Sequence, residues 1–349
     1  MLLAHRRGRA AALAVSAVAT LAFVSACAGE STPPVGSDGI PRSTTRIAGA
    51  PVLGNAHDPA EACAPEVPLD AGADPALDAR RIAVVGDAAL DTLCALGLQN
   101  RVVALAAPSG AAPIRYLGGW VAAAPSAGSA EHPDLAAVRD AEPDLILADL
   151  PDAPSAERAA GANTRTVAVP ASGPWADTVG AVATSLGRSD AARERLDHFA
   201  ESATTVGTDI AASQTQASVI RFTGDGIDLL GPSSFAGQVL ARMGVHRPPD
   251  QRFESPAIQA LPDGDLDRVE GDVLYVALAG KDSGKSDTGS TTPGLRHGEE
   301  VMDSDAWQLL DVTENRTFTV DDGIWVRGRG LVAARDIVGD VQASLNRYS

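Results

Sequence analysis

The stretch Arg81–Gly97, RIAVVGDAALDTLCALG, decides the fold. Arg81-Ile82-Ala83-Val84-Val85 is a short apolar run behind a single charge, the pattern of a strand covered on both faces. Leu90, Leu93 and Cys94 then form one stripe at helical spacing, and it stops at Gly97, a residue suited to the position past a helix end. Working outward, Val102–Leu105 reads as the next strand, Leu135–Ala141 as a helix, and Leu145-Ile146-Leu147 and Thr166–Val169 as further strands. Strands that alternate with helices pair in parallel through crossovers, which predicts an α/β layer structure.

From Ser189 to Ala212 the pattern changes. Ala192, Leu196, Phe199, Ala203, Val206 and Ile210 recur at spacings of four and three, which predicts one amphipathic helix of about 36 Å, long enough to act as a strut between lobes. Strand and helix patterns then restart: strands at Ser218–Phe222, Val273–Leu278 and Thr317–Val320, helices at Phe235–Met243 and Leu331–Leu345. The halves look alike. Val138 lies six residues before Asp144-Leu145-Ile146-Leu147, and Leu266 lies six before Asp272-Val273-Leu274-Tyr275. The expected architecture is α/β, with two Rossmann-like lobes, each on a central, mainly parallel sheet, joined by one long backbone helix. A cleft between the carboxyl ends of two such sheets is where small molecules bind. The expected divisions are 1–26, 27–79, 80–188, 189–213 and 214–349. The Gly, Ser and Thr-rich insertion Gly280–Glu300 holds both lysines, Lys281 and Lys285, and reads as a solvated insertion or a lid over the cleft.

The first of these divisions is a signal peptide: Arg6, Arg7 and Arg9 precede an apolar run, Ala10–Val24, too short to span a bilayer comfortably. The run ends in Val24-Ser25-Ala26-Cys27, which matches the bacterial lipoprotein box, so Cys27 is the expected lipid anchor on the outer face of the membrane. Residues 27–79 then read as a tether and extended arm. Removing those three arginines from 28 basic residues leaves 25 against 45 acidic ones, a net charge of −20. Such a chain repels nucleic acid. Two cysteines remain, Cys63 and Cys94. An even pair in an oxidising compartment reads as a disulfide tying the arm to the first helix; two buried thiols are the other reading.

The catalytic motifs are weak. Gly231-Pro232-Ser233-Ser234 lacks the second glycine of a nucleophile elbow, and no catalytic residue is assigned. The six His are dispersed, without metal-ligand spacing, so no metal-binding residue is assigned either; an already chelated metal is compatible with that. Gly328-Arg329-Gly330-Leu331-Val332-Ala333 matches a phosphate fingerprint in form, but the further strand and acid of a dinucleotide site are missing. A simpler expectation is a helix amino terminus flanked by Arg327 and Arg329 that attracts an anion. Arg221, near the end of a strand, is placed to clamp a carboxylate or hydroxamate, or else to form a salt bridge at the sheet edge. Tyr116, Trp120 and Trp325 are candidate aromatic walls of the cleft, each equally readable as core. Asp321-Asp322 reads as turn chemistry.

The runs Arg81–Gly97 and Asp134–Leu147, with the lipoprotein box and the strut helix, resemble the helical-backbone substrate-binding proteins of ABC importers for iron-siderophores, haem and vitamin B12. The Cys63 and Cys94 arrangement, Asp250-Gln251-Arg252-Phe253 and the tail Trp325–Asp336 are similar to actinobacterial lipoproteins described as ferric-dicitrate-binding-like. The resemblance implies a class III periplasmic binding protein fold, no catalysis, and an iron chelate or haem as the ligand. It also implies an ABC permease as partner, engaged by a Glu in each lobe eight residues before the strand-entry Asp. Those positions are Ala136 and Gly264 here, with Asp134 and Asp265 as the nearest acids. The alternative is therefore an envelope interaction or scaffold protein that keeps the fold without transporter docking.

Overall fold

A computed structural model describes residues 46–53, 57–109, 114–262, 264–280, 292–313 and 316–346. Cys27, the signal segment and the pair Lys281 and Lys285 lie outside the described residues. An arm opens with a small hairpin, β1 (Arg46–Ile47) and β2 (Ala50–Pro51). The first lobe runs β3 (Ile82–Val85), α1 (Leu90–Ala95), β4 (Val102–Ala107), α2 (Trp120–Ala123), β5 (Ser126–Ser129), α3 (Leu135–Asp140), β6 (Leu145–Asp149), α4 (Ala153–Glu157), β7 (Arg165–Val169) and α5 (Trp175–Ser185). The connecting helix is α6 (Ser189–Asp209). The second lobe runs β8 (Ala217–Phe222), β9 (Ile227–Leu230), α7 (Phe235–Met243), β10 (Ile258–Leu261), β11 (Val273–Leu278), α8 (Pro293–Met302), α9 (Asp305–Gln308), β12 (Thr317–Val320), α10 (Asp322–Trp325) and α11 (Leu331–Leu345).

The first sheet has the order β5-β4-β3-β6-β7, with every pairing parallel. All residues of β3 and β6 are buried because helices cover both faces, and this is why these strands read as continuous apolar runs rather than alternating ones. The second sheet repeats the order as β10-β9-β8-β11-β12. Its β8-β11-β12 part is parallel like the first sheet, and the departure is confined to β9. Strand β9 runs antiparallel to both β8 and β10, since only Thr223 to Gly226 separate β8 from β9, whereas a parallel crossover needs about a dozen residues.

The twofold repeat has an atomic basis. Asp144 accepts from the backbone N–H of Arg80 (2.8 Å) and Arg81 (3.1 Å), at the start of the first lobe's central strand. Asp272 accepts from the Gln216 N–H (2.7 Å) at the same place in the second lobe. Each Asp thus ties the entry of its own strand to that of the neighbouring strand, satisfying donors at a sheet end that would otherwise lack partners.

Helix α6 extends for about 32 Å and packs on α5 of the first lobe and α7 of the second. Its buried face is Ala192, Phe199, Ala203 and Gly207. At Gly207 a Cβ would stand 1.9 Å from the Met243 carbonyl oxygen, so the absence of a side chain is what lets α6 and α7 cross closely. The helix stops at Asp209, and Ala211 turns to the left-handed region, so the strut ends a few residues before the expected limit at 213. The carboxyl-terminal α11 packs on α1 as well as on α6 and α7, and so touches both lobes.

The arm also spans the lobes. Val52 bridges to Thr319 of β12 in the second lobe, whereas Cys63 is joined to Cys94 of α1 by a disulfide. Gly97 serves that junction, with φ +73° and a Cβ position 2.4 Å from the Pro65 carbonyl, so no other residue fits. Arg101 and Arg188, both buried, hold Asp78 of the arm at 2.6 and 2.7 Å. Burial alone would raise the Asp78 carboxyl, but the two arginines hold it at about 2. Among the described residues, no helix is long and apolar enough to cross a membrane.

Candidate functional site

The carboxyl ends of β4, β8, β11 and β12 face one another across a cavity of about 520 Å³. Ser109, past β4, brings the first lobe to its wall; Arg221, Asp225, Asp322 and Arg327 bring the second. Arg221 is the penultimate residue of β8 and is only partly buried, unlike its neighbours Ile220 and Phe222. Its guanidinium meets Asp322, the first residue of α10, side-on: Nε lies 2.6 Å from Oδ1 and Nη2 lies 2.9 Å from Oδ2. Burial pushes the Asp322 carboxyl upward, while the hydrogen bonds and charge of Arg221 pull it down. Asp228 stands opposite Arg221 in the β8–β9 pairing.

Arg327 reaches from the second lobe to the first, where its Nη2 lies 2.7 Å from Asp87 Oδ2. Asp87 follows β3, and its backbone N–H donates to Asp149 at the end of β6 (3.2 Å). Asp149 is buried, and burial, reinforced by the nearby Asp87 charge, raises it to about 7. Acid and base therefore alternate across the cleft mouth in the order Arg221, Asp322, Arg327 and Asp87. Two cations at the edge of a cavity of this size are suited to hold anionic oxygens of a small molecule.

The structure redistributes the other candidates. Trp325 is fully buried in the core, stacked on Tyr275 with centroids 4.5 Å apart, and its Nε1 donates to Asp340 (2.8 Å). It is not a cleft wall, because α10 directs the ring beneath the sheet while Asp322 at the start of the same helix faces the cavity. Tyr116 is likewise buried, with its hydroxyl donating to Asp91 Oδ2 (3.2 Å). Trp120, at the start of α2, is half-buried against the core and does not line the cavity.

The expectation of a ligand at the α11 amino terminus is also corrected. The N–H groups of Val332 and Ala333 donate to Asp91 Oδ1 (3.0 Å) and Oδ2 (2.9 Å), so the anion there is the protein's own carboxylate from α1. Gly330 permits that approach, since a Cβ would sit 2.2 Å from Asp91 Oδ1. Arg329 is largely buried, donating from Nε to the Ala171 carbonyl of the first lobe (3.1 Å) and from Nη1 to the Val326 and Gly328 carbonyls. It fastens the lobes rather than lining the large cavity.

Asp134 caps α3 by accepting from the Ala136 and Ala137 N–H groups at 3.0 Å. Asp265 precedes a short 3-10 turn, Leu266–Val269, and is half-buried. Asp87, Ser109 and the role of Asp322 escape sequence reasoning. Only the doublet Asp321-Asp322 carried a signal, and its two members divide the work: Asp321 caps α10, accepting from the Ile324 N–H (3.1 Å), while Asp322 takes Arg221. Among the described residues, no group of three or more His, Cys, Asp or Glu could hold a metal ion.

A family model described as periplasmic binding protein matches residues 82–322. Solved structures with this architecture include Staphylococcus aureus SirA complexed with staphyloferrin B (TM-score 0.63, 20% identity, 77% of this chain and 94% of that one). The siderophore periplasmic binding protein from the fuscachelin gene cluster of Thermobifida fusca aligns with a TM-score of 0.61 at 15% identity, over 77% and 97%. The petrobactin-binding protein YclQ from Bacillus subtilis aligns with a TM-score of 0.60 at 20% identity, over 77% and 92%. At these identities the likeness establishes the fold. Comparison with curated proteins gives no match.

Proposed function

The chain belongs to the periplasmic binding protein family, and from that premise we propose that it is a lipid-anchored extracytoplasmic receptor that captures a ferric chelate between its lobes for an ABC importer. The observation that carries the ligand class is the pair Arg221 and Arg327 on one cavity at the carboxyl ends of the sheets. Both cations are paired, Arg221 with Asp322 and Arg327 with Asp87, so the cleft presents guanidinium groups to anionic oxygen without a net positive charge. Ligands named for the similar structures, staphyloferrin B and petrobactin, support an iron chelate here. Among the described residues lining the cavity none is aromatic, which supports an oxygen-rich siderophore or ferric dicitrate over haem.

Equilibrium dialysis of the mature protein against ferric dicitrate, a ferric hydroxamate, a ferric catecholate and haem, with iron quantified on both sides, tests this. Saturable uptake of an oxygen-donor chelate is expected. A folded protein that retains none of them would overturn the ligand class. Anchoring through Cys27 predicts release of a Cys27→Ser variant from the membrane fraction.

A second reading is favoured by one feature. Ala136 and Gly264 stand where docking acids are expected, and the nearby Asp134 carboxylate is engaged in capping α3. This supports an envelope scaffold that keeps the fold without docking. Crosslinking in intact membranes separates the two: capture of a permease favours import, and capture of envelope assembly proteins alone favours the scaffold.

A further inference from the structure

The geometry of Arg221 constrains what the cleft accepts, and the reasoning rests on the ferric-chelate reading above. A guanidinium offers a carboxylate two parallel donors, and that bidentate fork is its strongest arrangement. In this protein the Nε and Nη2 fork of Arg221 is already filled by Asp322 at 2.6 and 2.9 Å. Asp322 exposes only 11% of its side chain, against 23% for Arg221. A free carboxylate competing for the fork would leave Asp322 desolvated and without its cation, a costly state for a partly buried charge. The Nη1 group of Arg221 has no hydrogen-bond partner among the described residues, and it belongs to a side chain that lines the cavity. Arg221 therefore offers its ligand single N–H contacts rather than a fork.

We infer that Asp322 is a positioning residue that makes the cleft selective for metal-loaded chelate over free carboxylate. The chemistry of the two ligand forms supplies the discrimination. In a metal-free chelator the carboxylate keeps both oxygens available, and its preferred partner is a fork. Once iron is bound, a carboxylate commits one oxygen to the metal, and its uncoordinated oxygen alone faces outward as a single acceptor, which suits Nη1. Because Asp322 belongs to the protein, the selectivity is built in before any ligand arrives.

The test compares metal-free citrate with ferric dicitrate in wild type, Asp322→Asn, and Asp322→Asn combined with Asp228→Asn. The double variant is included because Asp228 faces Arg221 across the β8–β9 pairing and is placed to refill the vacated fork. Affinities are measured by calorimetry, and folding by circular dichroism and thermal melting. Wild type is expected to prefer ferric dicitrate. At least one variant is expected to gain about tenfold in affinity for metal-free citrate while ferric dicitrate changes by less than about threefold, so that the ratio collapses. The ratio is the decisive quantity, since simple loss of negative charge would strengthen both ligands together. Unchanged affinity for metal-free citrate in both variants, or parallel changes for both ligands, would overturn the inference. If no protein binds ferric dicitrate yet a variant gains metal-free citrate, the exclusion of free carboxylate by Asp322 stands and ferric dicitrate falls as the ligand.

Discussion

Arg327 of the second lobe and Asp87 of the first are 2.7 Å apart across the mouth of the cavity, each side chain 17% exposed. The contact makes one residue both a ligand candidate and a tie between lobes. Arg221, by contrast, is paired entirely within its own lobe. The two cations consequently differ in what their loss should do.

Replacing Arg221 with Ala should lower affinity for the proposed ferric chelate by about 10- to 100-fold, the scale of one or two charge-assisted hydrogen bonds. Its pairing lies within one lobe, but its loss leaves the partly buried Asp322 without a cation, so melting temperature should fall as well. Arg327→Ala should reduce both affinity and melting temperature. Asp322→Asn should restore the melting temperature of Arg221→Ala but not that of Arg327→Ala, whose partner is Asp87, and equal rescue of both would contradict this division.

Asp91 fills the amino terminus of α11 from the opposite lobe, and its carboxylate also accepts from Tyr116. Asp91→Ala should leave two buried N–H groups unsatisfied, at about 1–3 kcal/mol each. Gly330→Ala should cost a similar amount through its clash with Asp91. Urea denaturation measures both. Because the two changes act on one contact, the double variant should be much less destabilised than the sum.

The Cys63–Cys94 bond closes a loop with a sequence separation of 31. In the chain-entropy model it contributes about 3–4 kcal/mol. Cys63→Ser should lose stability on that scale, and limited proteolysis should first cleave the arm before Ile82. Equal urea midpoints with and without reductant would count against this.

Stability should depend on pH with opposite signs at two ends. Burial raises Asp340 to about 7 despite the Trp325 hydrogen bond, and raises Asp149 to about 7 as well. Their native forms hold protons that the unfolded chain has released, so the stability they confer is present at low pH and is lost as pH rises from about 4 to 7. Asp78, held at about 2 by Arg101 and Arg188, acts in the other direction, stabilising above its ordinary value of 3.8 and failing as pH falls toward 2. Urea midpoints from pH 3 to 8 should therefore peak on the acidic side of neutrality. Asp340→Asn should flatten the decline between about pH 4 and 7, and a decline of unchanged slope would refute the assignment.

Much of the architecture was legible without coordinates. The apolar runs of β3, β6 and β11, the 3.6-residue stripe of α6 and the stop at Gly97 are local signals, each fixed by what a buried strand or a half-buried helix requires of its own residues. The matched entries at Asp144 and Asp272 were visible as a spacing, and became two equivalent backbone caps in the structure. The antiparallel course of β9 was less visible, because a four-residue link says little until the partner strand is known.

The cleft was legible only in part, for a different reason. Strand-end position alone brought Arg221 to the cavity. Trp325 and Tyr116 went to the core because the chain around them turns in ways no local periodicity encodes. Sequence by itself determined the layers, the strut and the twofold repeat, since burial on a regular element leaves a period of 2 or 3.6 residues. Tertiary structure alone decided that Asp322 holds Arg221, that Asp87 meets Arg327, and that Asp91 fills the α11 terminus. Such charges pair across 101, 240 and 241 residues of chain, where only the packing of the lobes determines which acid reaches which donor.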